Sequence, residues 1–322
     1  MACKLMKKIV LMFLVSISVI LLASCAAESE APAQAPEKEK KYDGYSAQQM
    51  YLIIAGRRKE LSSVYSEKIF EIKVTEQGGL YEETFHTMMK DYITKLQVMT
   101  RMAEDEKISL SSAQKKEAED KAAAFVSELS SSGCTCEISP ENAAEIIEDE
   151  YTVRLLMDKI LEEEDVEVSE SEARVIDIVR IVLGNSDDAY ACLKEISDGG
   201  EFNLIARRNS MDSEVELKVG KGDLDEPIEK AVFELEDGEV SPVIQSRGRY
   251  YIVKVVNGYD EEATAVRKER IAKERQSEAV GRRYQTYFDS APFEIDGEVW
   301  DEAVRMTEEN PEVPDIFDYT IE

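Results

Sequence analysis

The sequence predicts an α+β chain, in which a mainly helical domain is interrupted by a small inserted α+β domain. Three patterns carry that expectation. From Gln48 to about Leu161 the apolar residues recur every three or four positions, the period of a helix with one buried face. At Glu172 the pattern changes to the β-branched run Val175–Leu183, bounded by Gly184-Asn185-Ser186, and a second such run closes at Tyr250–Val256. Helical spacing then returns over Ala263–Phe288.

Taken in order, the first 24 residues read as an export leader. Lys4, Lys7 and Lys8 precede the apolar stretch Ile9–Leu22, which is short for a bilayer span. Leu22-Ala23-Ser24-Cys25 resembles the bacterial lipobox, which implies a lipid on Cys25 and a membrane surface outside the cytoplasm as the place of work. Residues 25–44 are rich in Ala, Pro, Glu and Lys, with too little apolar surface to bury, and are expected to be a flexible linker.

Residues 45–170 are expected to form the helical domain. Its clearest stripe is Phe85, Met88/Met89, Tyr92/Ile93, Leu96, Met99 and Met102, read as core in preference to a soft surface for apolar clients. Ser111-Ser-Ala-Gln114 is a capping-box pattern that opens a helix through Ala118, Ala122, Phe125 and Leu129. Ser139-Pro140 opens another, expected to bury Ile147, Tyr151, Leu155 and Ile160.

Residues 171–259 read as strand (Val175–Leu183), helix (Asp187–Ser197), short helix (Phe202–Arg208), loop and helix (Gly220–Leu235), short strand (Glu239–Ile244) and closing strand (Tyr250–Val256). Residues 260–322 are expected to be a C-terminal helix and an acidic tail that pack with the helical domain. Thr264–Arg283 carries a net +4 and the last 22 residues a net −7, read as a solvated helix face and a soluble tail.

Composition excludes several functions. A net charge of −29 over 322 residues argues against binding the nucleic-acid backbone, which needs clustered cations to displace counterions. An apolar fraction of 43% is that of a folded protein. The single histidine, His86, lies among Phe85, Met88 and Met89 and reads as structural, so neither a zinc site nor a histidine-based triad is expected. No repeating βα pattern supports a two-lobed solute-binding protein. Cys134 and Cys136, in a Ser/Gly-rich loop, fit either a tight disulfide or two thiols.

Three segments inside residues 171–259 carry a resemblance. They are Glu201-Phe-Asn-Leu-Ile-Ala-Arg-Arg-Asn-Ser-Met-Asp212, the stretch from Lys221 through Ala231-Val-Phe-Glu-Leu-Glu-Asp-Gly-Glu-Val-Ser241, and Tyr250-Tyr-Ile-Val-Lys-Val255. In order and spacing they resemble the parvulin type of peptidyl-prolyl isomerase. The layout of leader, helical domain, insert and returning helix resembles the PrsA/SurA class of extracytoplasmic foldases. The resemblance implies rotation about Xaa-Pro amides without cofactor or metal, and unfolded or partly folded exported polypeptides as partners. The alternative it leaves is a catalytically inactive holdase that binds such clients.

Parvulins use two histidines, an Asp or Cys, a hydroxyl and an apolar proline pocket. Matched position by position, the resemblance puts Arg180 in the place of the first histidine and Tyr251 in that of the second, or Tyr250 if Gly248-Arg249 is placed differently. Asp212 takes the Asp/Cys position, and Gln245 falls where the hydroxyl is expected. Leu224, Ile228 and Phe233 are expected to wall the proline pocket.

Overall fold

The computed structural model describes residues 44–74, 79–131, 138–311 and 313–320. The leader, the linker up to residue 43 with Cys25, and the Cys134/Cys136 pair lie outside the described residues. The chain divides into two units. One runs to Glu164 and resumes at Ser277; the other is Asp165–Gln276.

The helical unit is built on α1 (Ala47–Tyr65), opened by Ser46 in a capping box with Gln49. Met50 to Ala55 are fully buried without interruption, so the first half of α1 is enclosed on all sides and shows little amphipathic pattern, whereas its last turns reach the surface at Val64 and Tyr65. A 3-10 turn (Glu67–Glu71) leads to α2 (Tyr81–Asp105). Met89, Met99 and Met102 are buried there with Phe85, Tyr92, Ile93 and Leu96, and Met88 is half-buried. The methionine stripe is core. His86 lies on the same helix against the Phe85 ring, with burial holding its imidazole below the usual pKa.

Helix α3 (Ser112–Ser131) follows the Ser111–Gln114 capping box, and α4 (Pro140–Glu163) starts under the Ser139 cap. In α4 the buried stripe is Ile146, Ile147, Val153, Leu156, Met157 and Ile160, whereas Tyr151 and Leu155 are only half-buried. The helix packs against both α2 and α3, so two faces are covered and a single stripe does not describe it.

The Asp165–Gln276 unit begins with the short helix α5 (Glu170–Ala173) and continues as β1 (Val175–Leu183), α6 (Ser186–Ser197), α7 (Phe202–Asn209), β2 (Glu216–Gly220), α8 (Glu226–Phe233), β3 (Ile244–Ser246) and β4 (Arg249–Asn257). The four strands form an antiparallel sheet in the order β2-β1-β4-β3. Two features differ from the sequence reading. Strand β2 falls between the short helix expected to end at Arg208 and the loop expected from Gly220, where no strand is expected; it is a short edge strand whose Glu216 and Lys218 mask its pattern. The short strand expected at Glu239–Ile244 lies at Ile244–Ser246, because Pro242 has no N–H for a ladder and Val240 makes only an isolated bridge to Lys254.

Alternation along β1 and β4 gives the sheet two apolar faces. Val179, Ile181, Leu183 and Ile252 pack on one with Cys192 of α6 and Phe202 and Ile205 of α7. Ile176, Ile178, Val253 and Val255 pack on the other with Ile228 and Val232 of α8.

Helix α9 (Glu261–Ser290) carries the basic cluster, and its cations are paired. In the α+β unit Lys268 meets Glu170 at 2.5 Å and Arg275 meets Glu172. In the helical unit Arg282 meets Glu164 at 2.9 Å, and Arg283 meets Glu163 and Glu106. The +4 segment is therefore matched by the acidic stretch that precedes β1, a specific arrangement of individually weak pairs.

After α9, α10 (Gly297–Glu309) opens under Asp296 and packs on α1 through Trp300, Ala303 and Thr307. The final segment is not merely a soluble tail: Val313, Ile316 and Phe317 are buried, and Phe317 stacks edge-on against Tyr92 at 5.8 Å. Its acidic residues alternate with these anchors. Gly56 of α1 admits this segment, since a Cβ there would come within 3.1 Å of the Asp315 backbone.

Candidate functional site

The site is a consequence of strand parity. Arg180 lies on β1 between Ile178 and Val182, hence on the α8 face, and its Cα partner is Val253 of β4. Tyr251 opposes Val182 and points to the same face, a diagonal neighbour of Arg180 at roughly 7 Å between Cα atoms. Leu224 and Ile228 cover that face from the loop before α8 and from its first turn. Ile228 is 4% exposed, and Ile244 of β3, the Cα partner of Tyr251, completes an apolar surface.

Asp212 comes from the loop after α7. That loop is tied to β1 by Met211 N–H donating to the Val182 carbonyl (2.8 Å), Val182 N–H donating to Ser210 Oγ (3.1 Å) and Arg180 N–H donating to the Val215 carbonyl (2.8 Å). These bonds carry the carboxylate to Arg180, whose Nη2 donates to Asp212 Oδ2 at 2.7 Å. Arg249 Nη1 approaches Asp212 Oδ1 at 3.9 Å. The Arg180–Asp212 pair is about three-quarters buried at each partner, a setting in which removing one partner costs more than the pair itself contributes.

Of the remaining expected residues, Gln245 lies on the other side of the sheet and Phe233 at the end of α8. Gln245 is the Cα partner of Tyr250, which packs on the α6/α7 face, so Gln245 is exposed on the opposite side of the sheet from Asp212. Phe233 ends α8 under Arg174, whose guanidinium lies 5.6 Å from the ring centre and whose Nε donates to the Gly258 carbonyl. That is the Val175 end of β1, seven residues or roughly 23 Å along the strand from the Val182–Tyr251 pair. Phe233 is half-buried on the same apolar cluster as Leu224, Ile228 and Tyr251, about 7.5 Å along α8 from Ile228 and toward Arg174.

The structure also supplies Ser246, Asp225 and two arginines. The turn Arg247-Gly248 has positive φ at both residues, +44° and +76°, which makes it a two-residue hairpin turn of the type that pairs Ser246 with Arg249. Ser246 therefore shares the face of Tyr251, and its Oγ donates to Asp225 Oδ2 at 2.8 Å. Asp225 also pairs with Arg247 at 2.8 Å. A two-residue turn at Arg247-Gly248 gives this parity.

The arrangement offers an apolar surface of Leu224, Ile228, Ile244 and Tyr251, flanked by hydrogen-bonding charges from Asp212, Arg180 and Arg249. No covalent or redox chemistry is suggested by these groups. A cleft of about 490 Å³ lies elsewhere, at the Val175 end against α9, lined by Lys218, Asp223, Asp260 and Arg267. Its cations are already engaged, Lys218 with Asp260 and Arg267 with Asp223.

Residues 158–270 match the family model of the PPIC-type PPIase domain. The α+β unit, as far as Arg270, lies within the stretch that is similar to this domain. Among curated proteins the chain is 35% identical over 99 residues to the foldase protein PrsA of Enterococcus faecalis, covering 27% of this chain and 28% of that protein. It is 35% identical over 123 residues to the foldase protein PrsA of Staphylococcus aureus strain Newman, covering 32% and 38%. The chain thus spans well under half the length of these relatives. Among solved structures, the peptidylprolyl isomerase PrsA of Bacillus cereus aligns at a TM-score of 0.34 and 17% identity, over 73% of this chain and 97% of that one. The parvulin of Nitrosopumilus maritimus aligns at 0.24 and 31%, over 26% and 95%.

Proposed function

We propose that this protein is a membrane-anchored, extracytoplasmic peptidyl-prolyl cis-trans isomerase that assists the folding of exported polypeptides. The observation that carries the reading is the shared face on which Arg180, Asp212 and Tyr251 border the apolar surface of Leu224 and Ile228. An Xaa-Pro amide faces a rotation barrier of roughly 18–20 kcal/mol and isomerises slowly enough to limit folding. A site lowers that barrier by gripping the proline ring apolarly and offering polar groups that favour the twisted amide over the planar one. Leu224, Ile228 and Tyr251 suit the first task, and the Asp212–Arg180 pair the second.

In this reading residues 171–259 are the isomerase domain, residues 45–170 with 260–322 hold clients, and a lipid on Cys25 is the anchor. No helix among the described residues is long and apolar enough to cross a membrane. One observation favours the holdase alternative: the chain's single histidine is in the other unit, so this face holds none. Proline-limited refolding of a model protein separates the two. Acceleration in proportion to added protein supports the isomerase; suppressed aggregation at an unchanged refolding rate supports the holdase. Metabolic labelling with a fatty acid, lost in Cys25→Ala, tests the anchor.

A further inference from the structure

The charge balance at the site deepens this reading by naming a substrate class. Asp212 is the one carboxylate between Arg180 and Arg249, and its Oδ2 is taken by Arg180. Asp225 is matched by Arg247 and by the Ser246 hydroxyl. Three guanidinium groups therefore meet two carboxylates, a local cationic excess in a chain of net charge −29. The surplus has a location. Arg180 Nε is buried with no hydrogen-bond partner among the described residues. Arg249 is half-exposed, and its nearest carboxylate oxygen, at 3.9 Å, is beyond hydrogen-bond length.

Arg249 precedes Tyr251 by two positions on β4, so both point to the same face about 7 Å apart. A proline ring seated on Tyr251, Ile228 and Leu224 leaves the side chain of an adjoining residue within reach of that guanidinium. An acidic side chain there can hydrogen-bond the fork that Asp212 approaches only to 3.9 Å; a basic one meets like charge. We propose that Arg249 is a specificity-determining residue that selects prolines flanked by an acidic residue. This rests on the isomerase reading for its pocket but concerns binding, and the two are separable.

The test is an NMR titration of the full-length protein with blocked Ala-Glu-Pro-Ala, Ala-Ala-Pro-Glu, Ala-Ala-Pro-Ala and Ala-Lys-Pro-Ala peptides. Shift changes give Kd, and exchange cross-peaks give isomerisation rates. At least one Glu peptide is expected to bind about fivefold tighter than Ala-Ala-Pro-Ala, the order of one half-exposed ion pair, and the Lys peptide more weakly. Arg249→Gln should bring the Glu/Ala ratio to about one, Arg249→Lys should keep part of it, and 0.5 M NaCl should collapse it in the unaltered protein. Equal Kd values for all four peptides, or an ordering that survives Arg249→Gln, overturns the proposal. An ordering present while every isomerisation rate equals that of buffer overturns the isomerase reading and keeps the specificity. No binding of any peptide overturns both.

Discussion

Asp149 should make the helical unit less stable as the medium becomes alkaline. Its carboxylate sits deep in α4, accepting from the Tyr45 hydroxyl at 2.7 Å and from Gln97 Nε2 at 3.5 Å. Burial first, and then the neighbouring carboxylates of Glu145, Glu104 and Glu148, push its pKa from 3.8 up to about 7, against the opposing pull of the Tyr45 hydrogen bond. A carboxyl raised on folding binds its proton more tightly in the folded state. Stability is therefore greatest below the unfolded pKa, declines as pH rises from about 4 to about 7, and the full cost of about 4 kcal/mol is reached above that. At pH 5.5 about 2 kcal/mol of that cost is already present, so about 2 kcal/mol more should appear by pH 8.5. The substitution Asp149→Asn keeps an acceptor for Tyr45 and removes the charge. Urea unfolding followed by the fluorescence of Trp300, the chain's only tryptophan and a buried residue of α10, reads this unit. The stability gained by Asp149→Asn should grow by about 2 kcal/mol between pH 5.5 and 8.5. A gain that does not change with pH refutes the reasoning.

At the site, Asp212→Ala leaves Arg180 and Arg249 without their shared carboxylate and should lower kcat/KM for prolyl isomerisation by at least about tenfold, the equivalent of about 1.4 kcal/mol. Arg180→Ala should lower it less; rates unchanged in both variants remove this site. Ile228→Ala should destabilise the α+β unit by about 2–4 kcal/mol and weaken peptide binding, because Ile228 is both core and pocket wall. Gln245→Ala should change neither stability nor rate, as its side chain is exposed on the other face. Loss of activity in Gln245→Ala would show that the working surface includes that side of the sheet.

How far the sequence speaks depends on how local the cause is. Capping boxes at Ser46 and Ser111 and the proline start at Pro140 involve residues three apart, and Ser111-Gln114 and Ser139-Pro140 were readable as written. The Arg180–Asp212 pair was reachable only through the resemblance, since 32 residues separate the partners and a loop tied to β1 brings them together. Strand β2 escaped because an edge strand need bury only part of its length, and Glu216 and Lys218 interrupt the apolar signal. Gln245 and Ser246 differ by one position, and one position exchanges the faces of a sheet. Phe233 fits an apolar pocket by type and packs on the same cluster as Ile228, at the end of α8 toward Arg174. The basic stretch of α9 reads as a solvated face until its partners, Glu106, Glu163, Glu164, Glu170 and Glu172, are brought beside it by the fold.

The central claim is that a histidine-free face built from Arg180, Asp212 and Tyr251 turns over Xaa-Pro bonds. The most direct measurement is the cis-to-trans rate of Ala-Ala-Pro-Ala, followed by exchange spectroscopy with increasing full-length protein. A rate rising in proportion to protein concentration, and falling with Asp212→Ala, is the predicted result; a rate equal to that of buffer at every concentration, with the peptide bound, contradicts it.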